Sequence, residues 1–284
     1  MLRSLSFAIL SAFLSVSAYA SDVVYPGGGV FSQVVDGGGT RTSITLVNLD
    51  SLAATYTLYF YKDDGSAWST LSTTAGSGPQ LSGTLAPLGS VIIKTNGTGG
   101  AQDQGWALLS TAGNVTDGNG LYHYMIGGTA VFTLALPGNA TAGTAPNPAA
   151  QATVPLDTGY DSAFAIPFDH TNAVFGVALA NSWQSTALTV NVRAVNPSGT
   201  TIPTAVQSIQ LPGNGHTAFL LTDKFPELAN LQGLVVFTPV PSDQNNTFGL
   251  INALGLRANA EGTSLSTVTP LIPCLYVSGT GCTN

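Results

Sequence analysis

Apolar and polar residues alternate at every second position through most of the chain, in runs of about five to nine residues punctuated by Gly, Pro, Asn and Asp. A period of two places successive side chains on opposite faces, as a strand does, and argues against helix. In the first half, Tyr56, Leu58 and Phe60 alternate toward the turn Asp63-Asp64-Gly65. In the second, Val190, Val192 and Ala194 alternate toward Asn196-Pro197-Ser198-Gly199. The second half predicts strands over Phe164–Phe168, Phe175–Asn181, Leu188–Val195, Ala205–Leu211, Thr217–Leu221, Gln232–Thr238 and Leu250–Ala258, with an edge strand near Leu265–Pro270. One helical turn is expected over Asp223–Asn230, where Thr222 or Asp223 supplies a cap and Pro226 sits early.

The segments recur in order, about 130 residues apart. Ile44-Thr45-Leu46-Val47-Asn48 returns as Val177-Ala178-Leu179-Ala180-Asn181. Leu85-Ala86-Pro87-Leu88-Gly89-Ser90 is answered by Leu211-Pro212-Gly213-Asn214-Gly215-His216, and Gln104-Gly105-Trp106-Ala107 by Gln232-Gly233-Leu234-Val235. Such repetition is the mark of a duplicated unit. The expectation is all-β: two tandem immunoglobulin-like antiparallel β-sandwiches, each with seven or eight strands in about 110 residues. Residues 1–20 read as a signal peptide, 21–156 as the first sandwich and 157–284 as the second. The Pro-, Ala- and Gly-rich run Gly138 to Ala152 is expected as a long hairpin loop of the first unit.

Composition then narrows the functions. Only 7% of the 284 residues are charged, with 7 basic against 14 acidic residues, net −7, and mean hydropathy is +0.29. Nucleic-acid binding needs clustered Lys and Arg to displace phosphate counterions, and this chain has none. Its apolar content excludes disorder over most of the length. The leader has Arg3, an apolar stretch Leu5 to Val16 and the small-x-small site Ala18-Tyr19-Ala20, which imply cleavage before Ser21. That stretch falls short of the roughly 20 residues that span a bilayer, so membrane insertion is not expected. The expected location is extracellular or at the cell surface, with the periplasm as alternative. In an exported chain Cys274 and Cys282 are expected as a disulfide closing the tail, contributing roughly 2.5 kcal/mol.

The strings Asp36-Gly37-Gly38-Gly39-Thr40-Arg41-Thr42, Leu46-Val47-Asn48, Gly105-Trp106-Ala107, Ile166-Pro167-Phe168-Asp169, Gly215-His216-Thr217-Ala218-Phe219 and Gly255-Leu256-Arg257 resemble a group of secreted bacterial proteins built from duplicated immunoglobulin-like β-sandwich modules. The resemblance spans nearly the whole mature chain. It implies export and tandem sandwiches, and it carries no activity.

Catalytic chemistry is sparse. No Gly-x-Ser-x-Gly elbow occurs. The three histidines are His123, His170 and His216; in a strand Asp169 and His170 face opposite sides, and His216 reads as a polar residue after a turn. The two glutamates and the Asp residues, mostly in turns, form no pattern of paired acids, and no Asp-x-Asp-x-Asp-Gly loop is present. Neither cofactor nor metal is expected. Arg41, Arg193 and Arg257 lie on or beside strands and are expected to pair with carboxylates or carbonyls. Trp106 stands inside a repeated strand and reads as core, whereas Trp68, Trp183, Tyr122 and Tyr124 are the candidate exposed ligand platforms. The resulting expectation is a secreted, non-enzymatic protein with a structural or adhesive role, associating with itself through sheet edges. The alternatives are a polysaccharide-binding module and, third, a hydrolase with an unrecognised site.

Overall fold

A computed structural model of the chain describes residues 28–97, 100–111, 126–134, 150–158, 163–182, 186–240, 251–259 and 264–271, and the backbone of 115–116, 122–123, 275–277 and 281–283. Sixteen strands form two sandwiches. The first contains β1 (Gly28–Asp36), β2 (Arg41–Asn48), β3 (Ala54–Lys62), β4 (Gln80–Leu85), β5 (Ser90–Lys94), β6 (Asp103–Thr111), β7 (Ile126–Leu134) and β8 (Ala150–Pro155). The second contains β9 (Phe164–Asp169), β10 (Ala173–Ala180), β11 (Leu188–Val195), β12 (Thr201–Leu211), β13 (His216–Leu220), β14 (Gln232–Val240), β15 (Asn252–Asn259) and β16 (Leu265–Val268).

The sheet orders are β1-β6-β3-β4 and β8-β7-β2-β5 in the first unit, and β9-β14-β11-β12 and β16-β15-β10-β13 in the second. Adding eight to every strand number converts one into the other, so the sequence repeat is a topological repeat. All the ladders are antiparallel. In each unit the first strand lies beside the sixth, whereas in the immunoglobulin constant order it lies beside the second.

Alternation explains most strands. On β3, Ala54, Tyr56, Leu58 and Phe60 are buried; on β11, Leu188, Val190, Val192 and Ala194 are, while Asn191 and Arg193 face solvent. Ile44 and Leu46 of β2 share the first core with Leu58 and Phe60 of β3. Val190 and Val192 of β11 share the second core with Val177 and Leu179 of β10. Each such side chain contributes about 1.5–3 kcal/mol on burial.

Two strands break the alternation. Val30 through Val35 are all buried on β1, and Phe175 through Ala180 on β10. Both have one face in their own sandwich and the other against the neighbouring one: the first core continues through Ala178 of β10 and Leu254 of β15. The sandwiches therefore dock, the outer face of sheet β16-β15-β10-β13 lying against the side of the first unit where β1 and β8 end its sheets. Asp157, just past β8, exchanges backbone hydrogen bonds with Val30 of β1, and its carboxylate accepts one from Asn252 Nδ2 at 2.7 Å. Leu271 closes the second unit in the same way on Ala165 of β9.

The helical turn comes earlier than its sequence suggests. A helix α1 spans Leu221–Lys224 and a 3-10 turn spans Pro226–Leu228. Leu221, Phe225 and Leu228 are buried in the second core, and that packing sets the start rather than a side-chain cap at Thr222 or Asp223. The signal segment 1–20 lies outside the described residues.

Candidate functional site

The most elaborate polar arrangement joins the two sandwiches. The hairpin after β3 turns at Asp63-Asp64-Gly65, with Gly65 at φ 81. This glycine is required twice over: the conformation is left-handed, and a Cβ would collide with the Gly213 carbonyl of the other unit. Opposite it, the turn between β12 and β13 presents His216, 2% exposed. Its backbone N–H donates to the Asp63 carbonyl at 3.0 Å, and its Nδ1 lies 2.6 Å from Asp63 Oδ1. Nε2 reaches the Ser32 carbonyl on β1 at 3.0 Å. Ser32 sits in a bulge between Phe31 and Val34, which lets both of those residues face the core while Ser32 and Gln33 turn toward the second unit.

Trp106 on β6 completes the seam. It is fully buried, its Nε1 donates to the Asn214 carbonyl at 2.7 Å, and it stacks on Tyr61 with centroids 4.9 Å apart. Burial, with a smaller contribution from Tyr59, pushes the Tyr61 phenol above its usual pKa. The expectation of a buried Trp106 holds, but it packs between units with Val30 and Ala180. The reading of His216 as a bland turn residue is corrected: it is anchored to both units. The signal was available in the repeat, because Ser90 and Leu234 occupy the matching positions of the other copy.

This histidine and carboxylate do not make a hydrolytic triad, because the far ring nitrogen meets a backbone carbonyl instead of a hydroxyl nucleophile. Asp169 and His170 do not form a pair either. Asp169 binds Thr171 and Asn172, and the Thr171 hydroxyl foremost holds its carboxyl below the usual range. His170 packs against Phe168 and Phe175, and burial lowers its pKa from the ordinary histidine value.

Of the candidate ligand platforms, Trp68 is corrected. It is 1% exposed, because the chain after the β3 hairpin doubles back: Trp68 N–H donates to Phe60 O and the ring joins Leu71 in the first core beneath Lys62. Tyr122 lies in a short ribbon opposite Thr116. Trp183 and Tyr124 lie outside the described residues, as does Cys274; Cys282 stands opposite Tyr276 in a second ribbon. Arg41, Arg193 and Arg257, expected to pair with carboxylates or carbonyls, make neither an ion pair nor a side-chain hydrogen bond among the described residues; Lys62 pairs with Asp103 at 2.8 Å. No group of three or more metal-ligating side chains occurs among the described residues.

Concavities lie at the seam and on the first unit. A cleft of about 570 Å³ opens between the units, with Val35 and Leu134 on one side and Phe219, Leu256 and Leu265 on the other. A polar trough of about 460 Å³ lies on the outer face of sheet β8-β7-β2-β5, lined by Arg41, Ser43, Lys94, Thr133 and Gln151.

Fold and seam together define a double all-β sandwich with a built interface between its halves. No family model, curated protein or solved structure matches the chain.

Proposed function

We propose that the chain is a secreted, non-catalytic structural or adhesive protein of two immunoglobulin-like modules that associates with copies of itself through a sheet edge. The observation that carries this reading is β12. It is eleven residues long against six for its counterpart β4, carries no charge, exposes Val206, and is paired among the described residues only with β11. Pro203, near its start, is its one blunting feature, and long uncharged edges are templates for strand addition. Four other edges are met by further backbone hydrogen bonds: Asp157 closes on β1, Leu271 on β9, Thr74 N–H donates to Lys94 O on β5, and Asp63 O accepts from His216 on β13. The immunoglobulin-like reading is supported by β2 beside β5 and β3 beside β6, which match B beside E and C beside F of that fold. Docked units suit a building block, since a rigid body transmits orientation from one contact to the next.

Light scattering after gel filtration, with electron microscopy of the same fractions, tests the proposal. Wild type is expected to form regular oligomers or filaments, and Val206→Lys with Ser208→Lys to return it to monomer at unchanged thermal stability. A wild type that stays monomeric at every concentration overturns it.

A second reading, recognition of a surface polysaccharide, is favoured by the trough. It brings Arg41 and Lys94, two of only seven basic residues, together with hydroxyl and amide groups. Binding to an anionic glycan panel that disappears in Arg41→Ala is its test.

A further inference from the structure

The cleft between the sandwiches contains a feature that docking alone does not account for. Gln33, on the β1 bulge, is 3% exposed and lines the cleft, yet its buried Oε1 has no hydrogen-bond partner. A buried acceptor left unpaired costs about 1–3 kcal/mol, so such groups in folded proteins call for an explanation. Its neighbour Ser32 accepts a bond from His216 at the same bulge, so the backbone here is held in place while the amide beside it is not used.

The walls define what the acceptor faces. They are mainly aliphatic, with Leu134, Leu220, Leu256 and Leu265 contributing beside the rings of Phe132 and Phe219, and Leu220 is exposed at 44%. Sugars stack on flat aromatic faces, and those are scarce here. Among the described residues the polar lining consists of amides, Gln33, Gln102, Gln104 and Asn259, together with one charge, the Asp223 carboxylate, and no cation. Its volume of about 570 Å³ lies in the range of small-molecule sites, which combine apolar walls with a few convergent polar groups.

We propose that this cleft is a binding site for a small, non-anionic amphiphile: an aliphatic body along the leucine walls, and an N–H or O–H donor directed at Gln33 Oε1. The absence of a lining cation and the presence of Asp223 select against carboxylates, because an anion desolvated there meets only a like charge. The ligand bridges both units, and its binding depends on their docking without depending on self-association through β12.

Isothermal titration of the full-length mature protein with octanamide, and with octanoate as the anionic counterpart of equal chain length, tests the site. Octanamide is expected to bind one to one with sub-millimolar affinity, and octanoate at least about tenfold more weakly. Gln33→Met removes the acceptor while keeping an unbranched side chain of similar length. It is expected to weaken octanamide about tenfold and to raise the melting temperature of the unliganded protein, because the unpaired oxygen is gone. Ala258→Phe, on β15, fills the cleft and is expected to abolish binding with the fold retained. Absence of saturable heat with octanamide overturns the proposal. So does equal affinity for octanoate, unaltered binding in Ala258→Phe, or a lowered melting temperature in Gln33→Met, which would make the amide a structural group.

Discussion

The two sandwiches agree closely in what makes each fold and differ in what makes them dock. Asn48 and Asn181 are both fully buried and do the same work. Their side-chain Nδ2 atoms donate to Leu52 O and Ala86 O in the first unit, and to Thr186 O and Pro212 O in the second; their backbone N–H groups donate to Gly89 O and Gly215 O at 2.8 Å in both. Leu88 and Asn214 hold matching left-handed conformations at φ 54 and 55, and a Cβ at Gly105 or Gly233 would collide with a carbonyl of the neighbouring strand. The disagreements fall on the seam. Ser90 becomes His216, exposed Leu88 becomes Asn214, whose carbonyl receives the Trp106 indole, and Trp106 replaces the Leu234 of the other copy. Shared positions specify the sandwich, and unshared ones specify the interface.

The strongest way to break that division is at Trp106. Trp106→Ala removes a fully buried indole, its bond to Asn214 O and its stack on Tyr61, and is expected to cost about 3–5 kcal/mol. Because the ring lies between units, the loss should appear as a split of one calorimetric transition into two and as a larger radius of gyration in solution scattering. Leu234→Ala, at the matching position, is expected to leave the radius unchanged.

Next come the asparagines, where the comparison predicts sameness. Asn48→Ala and Asn181→Ala each strip a donor from two or more carbonyls, and each is expected to destabilise its own unit by about 2–3 kcal/mol in chemical denaturation. A large difference between the two would show that the clamp is not equivalent.

How much of this could be read from the chain follows the same division. Strands such as β3 and β11, with one face in the core and one in water, were legible from alternation, and so was the duplication; that Asn48 and Asn181, which end two of the repeated strings, are buried was not. What alternation hides is a strand covered on both faces: β1 and β10 are continuous buried runs because a second unit lies on them, and single-sequence periodicity does not say what covers a strand. Trp68 misled for a local reason, since a residue just past a turn reads as exposed until the chain folds back over its own sheet. The ligand platforms expected at Trp68, Trp183, Tyr122 and Tyr124 gave no hint of the inter-domain cleft, whose residues come from both copies.

His216→Ser gives the second unit the residue of the first. It leaves the Ser32 carbonyl without its donor, while Asp63, whose side chain is 46% exposed, stays hydrated and keeps its bond from Gln104. The expected cost is about 1–2 kcal/mol, carried mainly by Ser32 O. Asp63→Asn should cost less and leave docking intact by scattering.

The smallest effect concerns acid. His170 occupies the place that Asp36 takes in the first unit, beyond the Val34 and Phe168 positions that pair with Gly105 and Gly233. Burial against Phe168 and Phe175 lowers the ring's pKa, while Asp169 and the Ala173 backbone oppose that shift. A base held below its ordinary value binds fewer protons folded than unfolded. Stability is therefore fully present at neutral pH and declines as pH falls through about 6.5, levelling off below the folded value. His170→Phe keeps an aromatic ring there and removes the titration. The melting temperature of the variant relative to wild type is expected to rise between pH 7.5 and 5.5, by less than the loss caused by His216→Ser. A difference that stays flat across that interval would mean that the ring takes up its proton in the folded state as readily as in the unfolded chain. The distinction between a buried histidine in the second unit and a carboxylate in the first would then have no consequence for stability.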